Sequence, residues 1–166
     1  MIRVSTTIKF GTVLLAAALL AACSSTKEEA PTVSAPVASS SISPGSAEDF
    51  RVNVGDTVFF ETDQHSIRAD AQSVLQKQAA WLKQYPQTKL LVEGHADERG
   101  TREYNLALGD RRAYAVKEFL VSLGVDAARL QTKSYGKERP TCTESDDSCW
   151  QQNRRGYSVL AGGPGS

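Results

Sequence analysis

The stretch GHADERGTREYNLALGDRRAYAVKEFL, residues 94–120, decides the fold, because a polar loop passes there into an amphipathic helix. Directly before it, residues 89–93 (KLLVE) have the composition of a short strand, which Gly94 closes. After the loop, apolar side chains recur at helical spacing, at Leu106, Ala113, Val116, Leu120 and Leu123. The spacing predicts a helix over residues 102–123 that ends at Gly124.

The flanking regions predict a second helix and three further strands. DTVFFE, residues 56–61, is rich in β-branched and aromatic residues and predicts the first strand. A helix that Pro86 stops is predicted from the apolar spacing of Ile67, Ala71, Val74, Leu75, Gln78, Leu82 and Tyr85. Two more strands are expected around 130–135 and 156–160, after a short turn capped by Asp126. The order β-α-β-α-β-β predicts an α+β sandwich with two main helices packed on a four-stranded sheet.

Composition excludes several classes of protein. Hydrophobic residues at 40% and charged residues at 23% are typical of a globular core, not of collagen, a wholly disordered chain or a polytopic membrane protein. Lys and Arg number 19, as do Asp and Glu, and aromatic residues are sparse at 7%. Without a basic field or a stacking surface, no nucleic-acid partner is expected.

The N-terminus has the pattern of a lipoprotein signal peptide. Arg3 and Lys9 precede an uncharged run over residues 10–23, which as a helix of about 1.5 Å per residue is too short to cross a bilayer core of ~30 Å. The run ends in LAAC, residues 20–23, which resembles a bacterial lipobox, so residues 1–22 are predicted to be removed and Cys23 to be lipidated. The alternative is an ordinary signal peptide with an incidental cysteine. In the bacterial lipoproteins that this pattern resembles, an Asp after the lipidated cysteine favours retention in the inner membrane, so the resemblance implies that Ser24 directs the protein to the outer membrane, with the domain facing the periplasm.

A linker and a folded domain are predicted to follow Cys23. Residues 24–49 are rich in Ser, Ala, Pro and acidic residues and have no periodic apolar positions, so residues 23–49 are expected to form a lipidated, disordered tether. The domain is expected over residues 50–162, with a C-terminal tail at 163–166.

The loop and helix resemble the OmpA-like peptidoglycan-binding domain family, in particular its lipoprotein members. The resemblance rests on GHADERGT, YN and RRA in the deciding stretch, on SYGKERP at 134–140 and on NRR at 153–155, and it covers roughly residues 56–160. Gly156 departs from the family, whose members usually carry a larger residue there. The resemblance implies an OmpA-like fold and non-covalent binding of peptidoglycan stem peptides that contain meso-diaminopimelate.

The resemblance also implies site residues, which the ligand's chemistry supports. The free end of diaminopimelate carries an ammonium and a carboxylate on one carbon, so a receptor needs an anion and a cation close together. Asp97 would supply the anion, and Arg112 the planar fork that holds a carboxylate bidentately. Thr62 and Asp63 correspond to groove positions in the family.

Other polar residues near this motif have local or structural interpretations. Asn105 either points into the site or braces the preceding loop, and bracing is favoured because Asn often bonds local backbone. Arg111 lies about 100° round the helix from Arg112 and should face elsewhere. Arg154 and Arg155 are interpreted as scaffold contacts. A plain Asp97–Arg112 salt bridge without a ligand is the alternative for that pair.

In the family, such a protein tethers the outer membrane to the wall, exchanges between peptidoglycan and TolB, and acts in envelope integrity and cell division, with TolA as a further candidate partner. A wall-binding lipoprotein without Tol partners is the first alternative. A metal-dependent wall hydrolase using His65, His95, Asp97 and Glu98 is the second, and it is disfavoured because tight metal-ligand spacing is absent from the sequence. His95 is interpreted instead as a loop brace or a groove-lining residue. No enzyme, cofactor or metal is expected.

Two cysteines remain after Cys23. Cys142 and Cys149 lie in TCTESDDSCW, interpreted as an acidic loop between the third and fourth strands. An even pair in an oxidising compartment predicts a disulfide, with two free thiols as the alternative. The bridge is expected to stabilise the domain and to spare ligand binding.

Overall fold

The computed structural model describes residues 42–161, which form a four-stranded sheet with helices packed against it. The strands are β1 (Thr57–Phe59), β2 (Lys89–His95), β3 (Leu130–Gly136) and β4 (Arg155–Ala161). The helices are α1 (Ala47–Asp49), α2 (Ala69–Gln84), α3 (Arg102–Ser122) and α4 (Asp147–Asn153), with a π-helical turn at Phe50–Val54 and a 3₁₀ turn at Ala127–Arg129.

The sheet has the order β1-β4-β2-β3. β2 lies in the middle, parallel to β3 and antiparallel to β4, while β1 pairs antiparallel with the outer edge of β4. Because β2 and β3 are parallel, a crossover must connect them, and α3 is the main element of that crossover. The loop between β2 and α3 therefore emerges at the carboxyl end of a central strand.

One hydrophobic core joins the sheet to α2 and α3. The buried apolar residues are Phe50, Val58, Phe60, Ala71, Leu75, Ala79, Trp81, Leu82, Leu90, Val92, Ala113, Val116, Leu120, Val125 and Leu130. Each fully buried large side chain contributes roughly 1.5–3 kcal/mol through the hydrophobic effect. The predicted α+β class, with two main helices on a four-stranded sheet, is confirmed.

Two glycines allow α3 to approach β2 closely. A Cβ built on Gly94 would lie 1.7 Å from the carbonyl oxygen of Gly109, and one on Gly109 would lie 2.4 Å from Ser134 Oγ. Backbone meets backbone at this crossing, so no side chain fits there. The contact fixes the start of α3 against the end of β2, where the polar loop begins.

Two expectations from the sequence are wrong. The fourth helix, α4, lies within the segment interpreted as a loop, because Asp146 caps it and accepts the Cys149 N–H at 2.8 Å. Leu106 is 43% exposed and does not belong to the inner face of α3. The buried positions in those turns are Asn105, Leu108 and Gly109, because the Asn105 amide finds a backbone partner and Gly109 allows the close approach to β2.

Residues 46–49, which the sequence pattern places in the tether, form α1 and its cap and contact α2. Ser46 Oγ accepts the Asp49 N–H at the start of α1, and Trp81 Nε1 donates to Asp49 Oδ2 at 2.9 Å. The predicted signal peptide, Cys23, residues 24–41 of the tether and the tail at 163–166 lie outside the described residues. Across residues 42–161, no helix is both long and apolar enough to cross a membrane.

Candidate functional site

A pocket of about 220 Å³ opens where three segments meet: the loop after β1, the loop after β2 and the first turns of α3. It brings together all five groove residues that the sequence singles out, although they are spread over fifty positions. Its lining residues are Thr62, Asp63, Asp97, Arg99, Gly100, Tyr104, Asn105, Leu108 and Arg112.

Asp97 is a nearly buried carboxylate, 7% exposed, held by two arginines. Arg99 donates from Nη2 to Oδ2 at 2.7 Å and from Nε to Oδ1 at 3.2 Å, and its backbone N–H also bonds Oδ1. Arg154 Nη1 donates to Oδ2 at 3.3 Å. Burial by itself raises the pKa of Asp97, but the hydrogen bonds from Arg99 and Arg154 outweigh it and hold the pKa below its ordinary value. Asp97 is therefore an anion at neutral pH.

Arg112 is fully buried behind the pocket, and its guanidinium ties three segments together. It donates from Nε to the Gln64 carbonyl at 2.8 Å, from Nη1 to the His95 carbonyl at 2.7 Å and from Nη2 to the Glu61 carbonyl at 3.1 Å. Desolvation lowers the pKa of Arg112 to about 10, so the group stays charged at neutral pH. Arg112 forms no salt bridge with Asp97, so the plain ion pair considered for these residues is wrong.

The β2–α3 loop is held in shape by side chains from other elements. Lys137 Nζ donates to the carbonyls of Glu98 at 2.9 Å and Gly100 at 2.7 Å. Asn105 Nδ2, which is buried, donates to the Arg99 carbonyl at 2.8 Å. Gly100 has φ +90°, a backbone conformation that favours glycine. These contacts fix the backbone around Asp97.

Asp63 is the second carboxylate of the pocket. Its backbone is in the left-handed region, with φ 59°, which turns the loop after β1. Tyr104 Oη donates a hydrogen bond to Asp63 Oδ1, and Arg99 Nη2 reaches Thr62 Oγ1 at 3.4 Å. Asp63 forms no ion pair within residues 42–161. Its charge is therefore less fully compensated than that of Asp97.

The sequence pattern does not single out four further residues that line the pocket, nor does it connect Arg154 with Asp97; the four are Arg99, Gly100, Tyr104 and Leu108. Arg99 lies two residues after Asp97, a spacing at which a loop side chain and backbone N–H can both reach a carboxylate. Arg154 is 57 residues away, and nothing in local spacing connects it to Asp97. Arg155 does not line this pocket; its Nη2 donates to the Arg139 carbonyl at 3.2 Å.

His95 is neither a loop brace nor a groove-lining residue. Its ring is buried and stacks on Tyr135 with ring centroids 5.5 Å apart. Within residues 42–161 neither ring nitrogen has a hydrogen-bond partner, and Nε2 is 3.6 Å from Glu93 Oε2, too far for a good hydrogen bond. Burial, together with the nearby Arg155 and Arg139, lowers the pKa of His95 to about 4. In the described part of the chain, no three His, Cys, Asp or Glu side chains are grouped as metal ligands would be.

Cys142 and Cys149 form a disulfide with their Cα atoms 5.2 Å apart, which confirms the predicted pairing. The bridge joins the first turn of α4 to the segment before it. The other predicted modification site, Cys23, lies outside the described residues.

Comparison with known proteins gives consistent matches. A family model described as the OmpA family matches residues 59–154. A peptidoglycan-associated lipoprotein of Mesorhizobium japonicum is 65% identical over 119 residues, which cover 72% of this chain and 71% of that protein. The crystal structure of the peptidoglycan-associated lipoprotein from Burkholderia pseudomallei is 44% identical, with a TM-score of 0.63 over 64% of this chain and 90% of that one. The C-terminal domain of Helicobacter pylori MotB, 23% identical with a TM-score of 0.60, covers 64% of this chain and 84% of its own and shares the fold.

Proposed function

Because this chain belongs to the OmpA family and, within it, to the peptidoglycan-associated lipoproteins, we propose that it is an outer-membrane lipoprotein that binds peptidoglycan without a covalent bond. The ligand would be the free end of meso-diaminopimelate in a stem peptide. The observation that carries this proposal is a single pocket that combines two carboxylates with a buried guanidinium.

The pocket offers complementary charges to both ends of the zwitterion. Among residues 42–161, backbone carbonyls accept three of the five N–H groups of Arg112, so two would remain for a ligand carboxylate. Asp63 and Asp97 would attract the ligand's ammonium, with Asp63 the less compensated of the two. Each charge-assisted hydrogen bond contributes roughly 1.5–3 kcal/mol, which gives modest affinity for one site. Modest affinity suffices for an anchored domain that faces a dense repeated polymer.

The wider role that we propose is the one that the family resemblance implies. Lipidated at Cys23, the protein would tether the outer membrane to the wall, with its domain in the periplasm. As part of the Tol-Pal system it would alternate between peptidoglycan and TolB, with TolA as a further partner, in envelope integrity and cell division. A wall-binding lipoprotein without Tol partners is the alternative, and a pull-down with purified TolB distinguishes the two. The protein would bind the wall and not cleave it, so purified muropeptides should remain intact after incubation with it.

The direct test is titration with the stem tripeptide that ends in meso-diaminopimelate, compared with the same peptide ending in L-lysine. Lysine has the side-chain ammonium but lacks the second carboxylate, so its peptide should bind much more weakly. Asp97→Ala should abolish both this binding and sedimentation with purified sacculi. Asp110→Ala removes an exposed acid from α3 outside the pocket and serves as the matched control. Equal binding of the two peptides would contradict the assignment.

A further inference from the structure

Helix α4 is fastened at both of its ends to the segment just before it, residues 141–142. The Cys142–Cys149 disulfide joins its first turn to the preceding segment. At its last residue, Asn153 Oδ1 accepts the backbone N–H groups of Thr141 at 2.8 Å and Cys142 at 3.2 Å, and its Nδ2 donates to the Cys142 carbonyl at 2.6 Å. Asn153 is buried. A helix of seven residues is too short to be stable in isolation, so these links hold it in place.

Trp150 connects this helix to the loop that carries Asp97. Its indole Nε1 donates to Glu98 Oε1 at 2.9 Å. The guanidinium carbon of Arg99 lies 4.1 Å from the centroid of the Trp150 ring, within range of a cation–π interaction. The Arg99 side chain is 39% exposed and long, so without the ring it would have more rotamers available. Trp150 therefore restricts Arg99 to the orientation in which it bonds Asp97.

A second connection runs through Gln151. Its Oε1 accepts from Arg154 Nη2 at 2.6 Å, and Arg154 in turn donates from Nη1 to Asp97 Oδ2 at 3.3 Å. Arg154 also donates from Nε to the Phe60 carbonyl at 3.1 Å, and it is buried. The guanidinium is thus fixed on three sides. Adjacent residues of one helix consequently hold the two arginines that contact Asp97.

We propose that Trp150 and Gln151 are positioning residues for the ligand, acting on Asp97 through Arg99 and Arg154, and that the Cys142–Cys149 disulfide keeps them in register with the pocket. The expected effect on ligand affinity rests on the proposed function of the pocket. The bridge therefore affects ligand binding as well as stability, which differs from the expectation that its loss spares binding. Reducing it in the native protein should weaken binding of diaminopimelate.

The test compares variants of the mature protein by three measurements. Trp150→Ala, Gln151→Ala and the double variant Cys142→Ser with Cys149→Ser remove the connections one at a time. Trp150→Phe keeps an aromatic face for Arg99 but loses the N–H that bonds Glu98. Gln152→Ala is the matched control, since this residue of α4 is exposed and, in the described part of the chain, its side chain bonds only Cys142 Sγ and the Ser148 carbonyl. The measurements are the melting temperature, the NMR titration of the Asp97 carboxyl without ligand, and the affinity for the diaminopimelate tripeptide.

We expect Trp150→Ala and Gln151→Ala to raise the pKa of Asp97 and to weaken tripeptide binding by about tenfold, the equivalent of loosening one charge-assisted hydrogen bond. Trp150→Phe should lie between Trp150→Ala and the unaltered protein, and Gln152→Ala should match the unaltered protein. The double serine variant should shift the Asp97 titration and the affinity in the same direction.

Variants that melt at lower temperature but keep both the Asp97 titration and the affinity would show that α4 is only structural, and would overturn the proposal. If the unaltered protein fails to bind the tripeptide, the proposed function is wrong. The Asp97 titration then still decides whether α4 positions that carboxylate, because it requires no ligand.

Discussion

Arg112→Ala should destabilise the domain as well as weaken binding, because Arg112 has a structural role independent of any ligand. Its guanidinium joins the loop after β1, through Glu61 and Gln64, to the end of β2, through His95. The alanine variant leaves these three carbonyls without their donor. The hydrogen bond to the His95 carbonyl is buried, so water cannot replace the lost donor there. Glu61 and Gln64 are exposed residues, and water can reach their carbonyls.

The magnitude follows from this difference in exposure. An unsatisfied buried acceptor costs about 1–3 kcal/mol, and exchanging a protein donor for water at each of the two outer carbonyls costs about 1 kcal/mol. Loss of the packed side-chain stem adds to this, while removal of a desolvated charge offsets part of it. We expect a net loss of about 3–5 kcal/mol in the free energy of unfolding. Arg112→Lys should lie between, since a single ammonium cannot reproduce a planar fork that spans three acceptors.

The assay is urea unfolding followed by far-UV circular dichroism, on Arg112→Ala, Arg112→Lys and the control Arg111→Ala. Arg111 is adjacent and exposed, and its loss should change the free energy of unfolding by less than about 0.5 kcal/mol. A loss of under about 1 kcal/mol in Arg112→Ala would refute the reasoning, because the three hydrogen bonds would then contribute little. Because part of the Arg112→Ala protein would be unfolded, its ligand affinity must be calculated from the concentration of folded protein.

Three further outcomes are expected. The ring of His95 should stay neutral in the folded protein down to about pH 4, whereas in the unfolded chain it binds a proton near pH 6.5. The unaltered protein should therefore lose about 3 kcal/mol in the free energy of unfolding between pH 6.5 and 4, and His95→Gln should not show this loss. NMR titration of the ring and urea unfolding test this. Gly94→Ala should lower the free energy of unfolding by more than about 3 kcal/mol or prevent folding, because the new Cβ meets the Gly109 backbone. Gly156→Ala should lower it by less, because the nearest atom to its Cβ, at 3.1 Å, belongs to a side chain. A larger loss for Gly156→Ala than for Gly94→Ala would contradict this. Cys23→Ala should leave the membrane fraction or accumulate as precursor; a mature, membrane-bound variant would exclude the lipobox interpretation.

Much of the fold was predictable from the sequence, because secondary structure is set by local geometry. The helical spacing of Ala113, Val116 and Leu120 predicted the inner face of α3, and all three are fully buried. Gly124, with φ +88°, follows that helix as predicted, and Asp126 caps the next turn by accepting the Ala128 N–H. The family resemblance, now confirmed, was readable for the same reason, since its motifs are short runs of neighbouring residues.

The hydrogen-bond partners of polar side chains could not be predicted from local sequence patterns. Asn105 and Arg112 interrupt the apolar face of α3, and only the assembled loops show which carbonyls satisfy them. The short α4 has little apolar periodicity, so the acidic and serine residues before it suggested a loop. Its place depends on the disulfide and on Asn153.

The sequence by itself determined the order of the four strands and the two main helices, the OmpA family and five of the nine residues that line the pocket. Only the tertiary structure decided that Asp97 pairs with Arg99 and Arg154, and that Arg112 serves the backbone as well as the pocket. The physical reason is one of range. Hydrophobic periodicity follows from the pitch of a helix or strand, whereas a buried charge takes whichever donor the fold brings within about 3 Å. For Asp97 one of those donors comes from a residue 57 positions along the chain.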